Sequence, residues 1–253
     1  VKILGILGGH KRDGLTAQML TNVLSGVSDP HTTETIYLED FQFHPDLPGH
    51  RDPVLDQLTV KLLESDVWVL AAPTYWGGLA GQMKDFLDCM RGRLVRFDHN
   101  GGTHPDRFKD KHYLSITSCY AGTVENFLTG VTDASFRTID KIMSAAGLIK
   151  INELVLPGTL KMTTLPKSKQ QLCTHWGQKL TTKTKRDDNT VKRYIELFCM
   201  VAVMALITMG VQLLLHLIPI GQFWSIYATF VIIFFVLLAS ILHFFTVVKH
   251  RRR

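Results

Sequence analysis

The chain has 253 residues, which leaves room for one sizeable domain and something smaller beside it. A formal net charge of +6 is mild, and much of the excess lies next to apolar segments, so it points to anionic lipid headgroups rather than to nucleic acid. Four cysteines without a Cys-x-x-Cys pair argue against a disulfide framework and a zinc site, and they fit a reducing compartment.

In chain order, residues 2–7 form an apolar run too short for a secretory signal, ending at Gly8-Gly9. This reads as a buried strand and a turn. Thr16 to Val27 places apolar residues at 17, 19, 20, 23, 24 and 27, the spacing of an amphipathic helix. Further strands are predicted at Thr35–Leu38, Val67–Ala72, His112–Thr117 and Ile149–Leu156. Helices are predicted at Leu55–Leu63, Gly81–Met90, about Ala134–Ala146, and Lys167–Leu180. Strands alternating with helices imply an α/β fold, a parallel sheet covered on both faces. The early Gly-rich turn suggests a doubly wound five-stranded sheet of order 2-1-3-4-5. Ligands of such sheets bind beyond the carboxyl ends of the strands, so the loops after the first, third and fourth strands are the places to look.

From Leu197 to Val248 the composition changes. Leu197–Ile218 and Phe223–Val248 contain no Asp, Glu, Lys or Arg, and each is long enough to span a hydrocarbon core of about 30 Å. Pro219-Ile220-Gly221 between them is a turn signal, so an all-α transmembrane hairpin is expected. Lys183, Lys185, Arg186, Lys192 and Arg193 precede it; Lys249 and Arg251 to Arg253 follow. The positive-inside rule then puts both ends in the cytoplasm, with the lipid bilayer as a partner. His216 and His243 are expected to snorkel or pack against polar groups. The expected division is 1–180 for the α/β domain, 181–193 for a basic polar linker, and 194–253 for the hairpin and its tail.

Three loops carry the chemistry. After the first strand, Gly8-Gly9-His10-Lys11-Arg12-Asp13-Gly14-Leu15-Thr16 runs straight into a helix. Small residues let backbone N–H groups approach an anion, the helix N-terminus favours it, Thr16 can cap or donate, and Lys11 or Arg12 supplies charge. The loop is neither a Rossmann fingerprint nor a Walker A sequence. After the third strand, Pro73-Thr74-Tyr75-Trp76-Gly77-Gly78 sets two large aromatics beside small residues, which suits a wall for a planar ring.

These two stretches, the second extended through Leu79-Ala80-Gly81-Gln82-Met83-Lys84-Asp85-Phe86, resemble the NADPH-dependent FMN reductase family of flavodoxin-like oxidoreductases. The likeness runs over about residues 1–160 and stops short of the apolar hairpin. It implies a flavodoxin-like fold, FMN as cofactor, NADPH or NADH as electron donor, and a homodimer or higher homo-oligomer with flavin near the interface. Gly9, Lys11 and Thr16 would lie around the FMN phosphate, with His10, Arg12 and Gly14 in the same loop. Pro73, Thr74, Tyr75, Trp76 and Gly77 would meet the ribityl chain and ring. Thr117, Ser118, Cys119, Tyr120 and Gly122 would close over it. Gly9 stands where the family usually has Ser, and Leu15 where it has Asn or Ser, so two side-chain donors to phosphate are absent. Phe41 to Leu47 holds no Cys, so no iron–sulfur cluster is expected, nor any metal. Flavin carries the redox chemistry itself, and no protein residue is expected to be catalytic.

The function expected is a membrane-anchored, FMN-dependent NAD(P)H oxidoreductase that passes electrons to an acceptor such as a quinone or a membrane redox partner. The alternative is a flavodoxin-like electron-transfer or non-catalytic flavin-binding module at the membrane.

Overall fold

The computed structural model describes residues 1–183, 190–214 and 220–251. Lys185 and Arg186 of the expected linker, His216 and Pro219 before and in the expected turn, and Arg252 and Arg253 lie outside the described residues. The chain divides into two compact units, Val1–Arg186 and Asp187–Arg253.

In the first unit β1 (Lys2–Leu7) leads to α1 (Leu15–Ser25), β2 (Thr32–Tyr37), α2 (Pro53–Glu64) and β3 (Val67–Ala71). A small hairpin follows, β4 (Thr74–Tyr75) and β5 (Gly78–Leu79), then α3 (Gly81–Cys89) and α4 (Arg91–Leu94). A second hairpin, β6 (Val95–Phe97) and β7 (Thr103–Pro105), precedes β8 (His112–Ser118). The unit continues through α5 (Thr123–Thr129), α6 (Asp133–Ala145), β9 (Ile149–Leu156) and α7 (Lys167–Leu180). The five long strands form one parallel sheet of order β2-β1-β3-β8-β9, the winding predicted from the alternation.

Side chains alternate across this sheet with the period of two that strands impose. Leu4, Ile6, Trp68, Leu70 and Tyr113 pack into one core with α2, α3 and α6. Ile3, Leu7, Val67, Val69, Leu114 and Ile116 pack into the other with α1 and α7. The continuous apolar runs in β1 and β3 follow from burial on both faces. On the edge, β2 starts at Thr32 rather than at the expected Thr35 because its first residues face water and carry no apolar signal. Asp52 sets the start of α2: its Oδ1 accepts from the Val54 and Leu55 N–H groups at 2.7 and 3.3 Å, with Pro53 at the first helical position.

The second unit consists of α8 (Thr190–Leu214), a short 3₁₀ turn and α9 (Phe223–Arg251). α8 opens inside the stretch expected as linker. Val201, Ala205 and Met209 form a stripe on α8 that packs toward α9, and Val231 is the buried counterpart there. The Tyr227 hydroxyl donates to the Ala202 carbonyl at 3.0 Å, and the Phe198 and Phe235 rings meet edge to face at 5.2 Å. Among the described residues one helix, Phe223–Ser240 within α9, is long and apolar enough to cross a membrane. The apolar part of α8, Phe198–Leu214, is shorter. Where two helices of spanning length were expected, the described residues thus hold one.

Candidate functional site

The turn after β1 is tight because it must be. A Cβ on Gly8 would lie 2.6 Å from the Met83 Cβ, where the turn passes over the start of α3. α1 then begins at an N-cap, Gly14, that has no side chain to satisfy the helix, and its first turn holds no acidic residue. The first intrahelical donor is the Gln18 N–H, bonded to the Gly14 carbonyl at 2.9 Å. The N–H groups just before it have no intrahelical acceptor, and the helix dipole adds positive potential at the same place. Lys11 lines the space in front of them. Thr16 is buried, and its Oγ1 lies 2.7 Å from the Ser118 Oγ, tying this helix to the carboxyl end of β8.

Arg12 does something else. Its Nε donates to Glu39 Oε1 at 2.5 Å, its Nη2 donates to Asp40, and its guanidinium sits 4.5 Å over the Tyr37 ring. The group is committed to the end of β2 and does not line the pocket.

After β3 the chain makes a two-residue hairpin. Thr74 and Tyr75 pair with Leu79 and Gly78, and the turn residues Trp76 and Gly77 have φ of 53° and 72°. Two successive left-handed residues fit the right-handed twist of a hairpin, but a bulky residue there is strained. Trp76 is fully exposed at the tip, and Tyr75 is half-exposed with its ring parallel to that of His10, centroids 6.5 Å apart. Partial burial, with Tyr120 nearby, raises the Tyr75 phenol above its ordinary value, so it stays protonated and able to donate. The base of the hairpin is moored by Thr74, whose Oγ1 lies 2.8 Å from both Thr117 Oγ1 and Ser135 Oγ. Thr117 is consumed by that mooring and does not line the pocket.

The loop after β8 is stitched to the loop after β9. The Cys119 carbonyl accepts from the Thr159 N–H at 3.1 Å and from its hydroxyl at 3.0 Å, and the Gly158 N–H donates to Ala121 at 2.7 Å. The Cys119 thiol is buried, donates to the Ala121 carbonyl at 3.6 Å, and is pushed up by desolvation. It is a packing thiol, not a nucleophile. Gly122 caps α5 rather than facing the pocket.

Between these loops, beyond the carboxyl ends of the central strands, lies a cavity of about 850 Å³. Its walls bring together Gly9, His10, Lys11, Gly14, Thr16, Pro73, Thr74, Tyr75, Trp76, Gly77, Ser118, Cys119 and Tyr120 of the expected residues. Arg12, Thr117 and Gly122 stand outside it. The cavity also takes Asp13, Glu125, Val131, Leu160, Met162 and Thr163, which the sequence reading missed. Leu160, Met162 and Thr163 follow β9, a loop the reading did not examine although it lies at the same end of the sheet. A more open groove of about 430 Å³ along α9, lined by Ser225, Thr229, Phe230 and their neighbours, offers no ionisable group.

The family comparison covers residues 1–125, a stretch that includes the turn after β1 and the aromatic hairpin. Those residues form an NADPH-dependent FMN reductase family domain. An FMN-dependent NADH:quinone oxidoreductase of Clostridium botulinum is 32% identical over 107 residues, 41% of this chain and 49% of that protein. An iron–sulfur flavoprotein of Methanocaldococcus jannaschii is 26% identical over 107 residues, 38% of this chain and 55% of its own. The chain thus spans about half the length of the curated relatives it matches. In fold, it superposes on azoreductase AzrA with a TM-score of 0.56 at 11% identity, over 73% of this chain and 100% of that one. The NAD(P)H:quinone oxidoreductase of Methanothermobacter marburgensis gives 0.55 at 14% identity, over 71% and 96%. At such identities these structures establish the flavodoxin-like α/β fold alone.

Proposed function

We propose that the FMN reductase family domain binds FMN in this cavity and carries electrons from NADH or NADPH to an acceptor such as a quinone. The observation that carries the reading is the pairing of an uncapped, acid-free helix N-terminus with an aromatic hairpin tip at the switch point of the sheet. The chemistry of the donors fits FMN at both ends. Backbone N–H groups at the start of α1, with Lys11 and Thr16, would hold the phosphate; Tyr75 and Trp76 would wall the ring. When bound, flavin supplies the hydride and electron transfer. Backbone N–H groups of the hairpin and of the β8 loop would orient the ring and favour negative charge on it.

Two further features belong to the same reading. α5 buries none of its residues; its Val124, Phe127 and Leu128 are exposed, as is Tyr120 in the pocket lining just before it in sequence, which supports a second copy of the chain closing the site in a homodimer. In the second unit, only 6% of the Phe223–Ser240 window is buried, which suits a helix solvated by lipid better than the core helix of a globular domain. The proposal is therefore of a reductase held at a membrane by α8 and α9, with its termini on the cytoplasmic side.

The test is a titration of the full chain in detergent. Uptake of added FMN, giving a yellow protein whose spectrum NADH or NADPH bleaches without oxygen and a quinone restores, is the expected result. Yellow protein that neither nicotinamide bleaches would make it an electron-transfer flavoprotein instead. Failure to take up FMN would leave a scaffold.

A further inference from the structure

We propose that the mouth of this pocket selects NADH over NADPH, with Glu125 as the residue that rejects the 2′-phosphate. The inference rests on the nicotinamide reading above and names the donor that reading leaves open.

The charge inventory of the mouth carries it. The ionisable side chains lining the cavity, tyrosines and Cys119 apart, are His10, Lys11, Asp13 and Glu125. Lys11 stands on the loop whose helix N-terminus is assigned to the flavin phosphate, so its charge has an occupant. The other cation of that loop, Arg12, is bound to Glu39 and Asp40 and lies over Tyr37. Lys161 follows Leu160 in sequence but is not part of the lining. With Lys11 engaged, the formal charges left at the mouth are carboxylates, and His10 is the remaining titratable base.

Glu125 is a placed charge. One of its carboxylate oxygens accepts from the Gly122 N–H at 3.3 Å, which holds the side chain back over the start of α5. The far end of α5 is fixed in turn by Asn126, whose Nδ2 donates to Thr132 Oγ1 at 3.1 Å and whose Oδ1 accepts from the Thr132 N–H at 3.0 Å. The side chain is exposed and lines the cavity, as does Tyr120. A carboxylate so placed can accept hydrogen bonds from the vicinal hydroxyls of an adenosine ribose. Against a ribose 2′-phosphate it presents like charge, and the one Lys or Arg among the lining residues, Lys11, is assigned to the flavin phosphate.

The experiment uses the FMN-loaded full chain in detergent and two unreactive probes, ADP-ribose and 2′-phospho-ADP-ribose, titrated by calorimetry. Initial rates with NADH and NADPH are measured alongside. ADP-ribose is expected to bind about tenfold more tightly or better, with kcat/KM following the same order. Glu125→Gln keeps an acceptor for the Gly122 N–H and removes the charge, so it should at least halve that ratio by tightening the phosphorylated probe. Glu125→Lys should reverse the preference, and Lys161→Ala should leave it unchanged. Equal or tighter binding of the 2′-phosphate probe by the unsubstituted protein overturns the selection, as does a ratio that Glu125→Gln does not move. Binding of neither probe, with NADH leaving the flavin oxidised, overturns the nicotinamide reading and this inference with it.

Discussion

Trp76 is the residue where local preference and local structure disagree most. A bulky side chain at φ 53° is held in the left-handed region, at a cost of about 1–3 kcal/mol, and it gains no burial in return. Strain of this kind persists where the surroundings impose it, here the hairpin pairing and the Thr74 mooring. Trp76→Asn keeps the turn with a residue that tolerates it. The thermal midpoint of the FMN-free protein should rise by about 2–4 °C for each kcal/mol relieved, while FMN binding weakens. A variant that loses stability and keeps its flavin would show that the indole is a packing group. Arg93 behaves in the opposite way, as a buried charge that is fully answered. Its Nε and Nη2 each donate to Asp46 at 2.7 Å, and Nη1 donates to Asp56 at 2.7 Å and to Thr59 at 3.3 Å. Arg93 lowers the Asp46 carboxyl from its ordinary 3.8 to about 2. A depressed carboxyl gives stability that is present above its unfolded value and lost as the pH falls toward the folded one. Asp46→Asn should therefore flatten the acid limb between those two values; denaturation curves parallel to those of the unsubstituted protein would place that limb elsewhere. Arg93→Met strands the acids and should cost about 3 kcal/mol, the lower end for a broken buried pair, because Asp46 keeps 31% of its side-chain surface in water.

At the scale of elements, what could be read from the chain was what burial writes into it. Strands β1 and β3 are continuous apolar runs, α7 occupies the residues its periodicity marks, and the order of the sheet follows from alternation. The short pieces were not legible. The β6–β7 hairpin pairs three residues on each side and exposes most of them, so it has neither length nor period. α5 buries nothing, and its apolar residues face out, which is why the stretch after Gly122 read as part of a loop and Glu125 went unnoticed. Tyr75 and Trp76 were visible as aromatics at the end of a strand; that Thr74 and Thr117 serve each other was not, because the two are 43 residues apart. Arg12 shows the same limit, since its partners lie after β2. Packing between α1 and α7 gives a test at this scale. Added Cβ atoms would lie 1.9 Å from the Val23 carbonyl oxygen at Gly177 and 2.2 Å from the Thr174 carbonyl oxygen at Gly26. Because both contacts are with backbone, the helices must part, and Gly177→Ala should cost about 1–3 kcal/mol or more. Gly92 in α4 has nothing within 4 Å, so Gly92→Ala should instead stabilise by about 0.5–1 kcal/mol. Unfolding midpoints of the two variants moving in the same direction would remove the close-crossing explanation.

For the whole molecule, the two units pose different problems to their solvents. The first hides its apolar residues on both sides of a sheet and leaves a cavity at one end. In the second, α8 and α9 bury a narrow seam at Val201, Ala205, Met209 and Val231, while Val203, Ile207, Ile232, Ile233, Val236 and Leu237 are exposed. So much outward apolar surface is costly in water and ordinary in lipid. If lipid is the solvent, Ile233→Arg places a charge near the middle of the apolar window and should cost about 2.5–3.5 kcal/mol of insertion. The chain should then shift from the membrane fraction toward the high-salt-soluble fraction. Equal recovery of both proteins after the salt wash would mean that a protein surface, not the bilayer, covers α9. The number of crossings can be read separately. α9 meets the length requirement by itself, and α8 has a shorter apolar stretch flanked by Lys192 and Arg193. If both helices cross, as proposed, the basic residues on either side of the pair, Lys192 and Arg193 before it and Lys249 and Arg251 after it, put both ends on one side. In sealed vesicles a C-terminal tag should therefore be cut by added protease only when the first unit is also accessible. A tag protected while the domain is digested would mean an odd number of crossings, with α8 lying in the interface and α9 alone spanning.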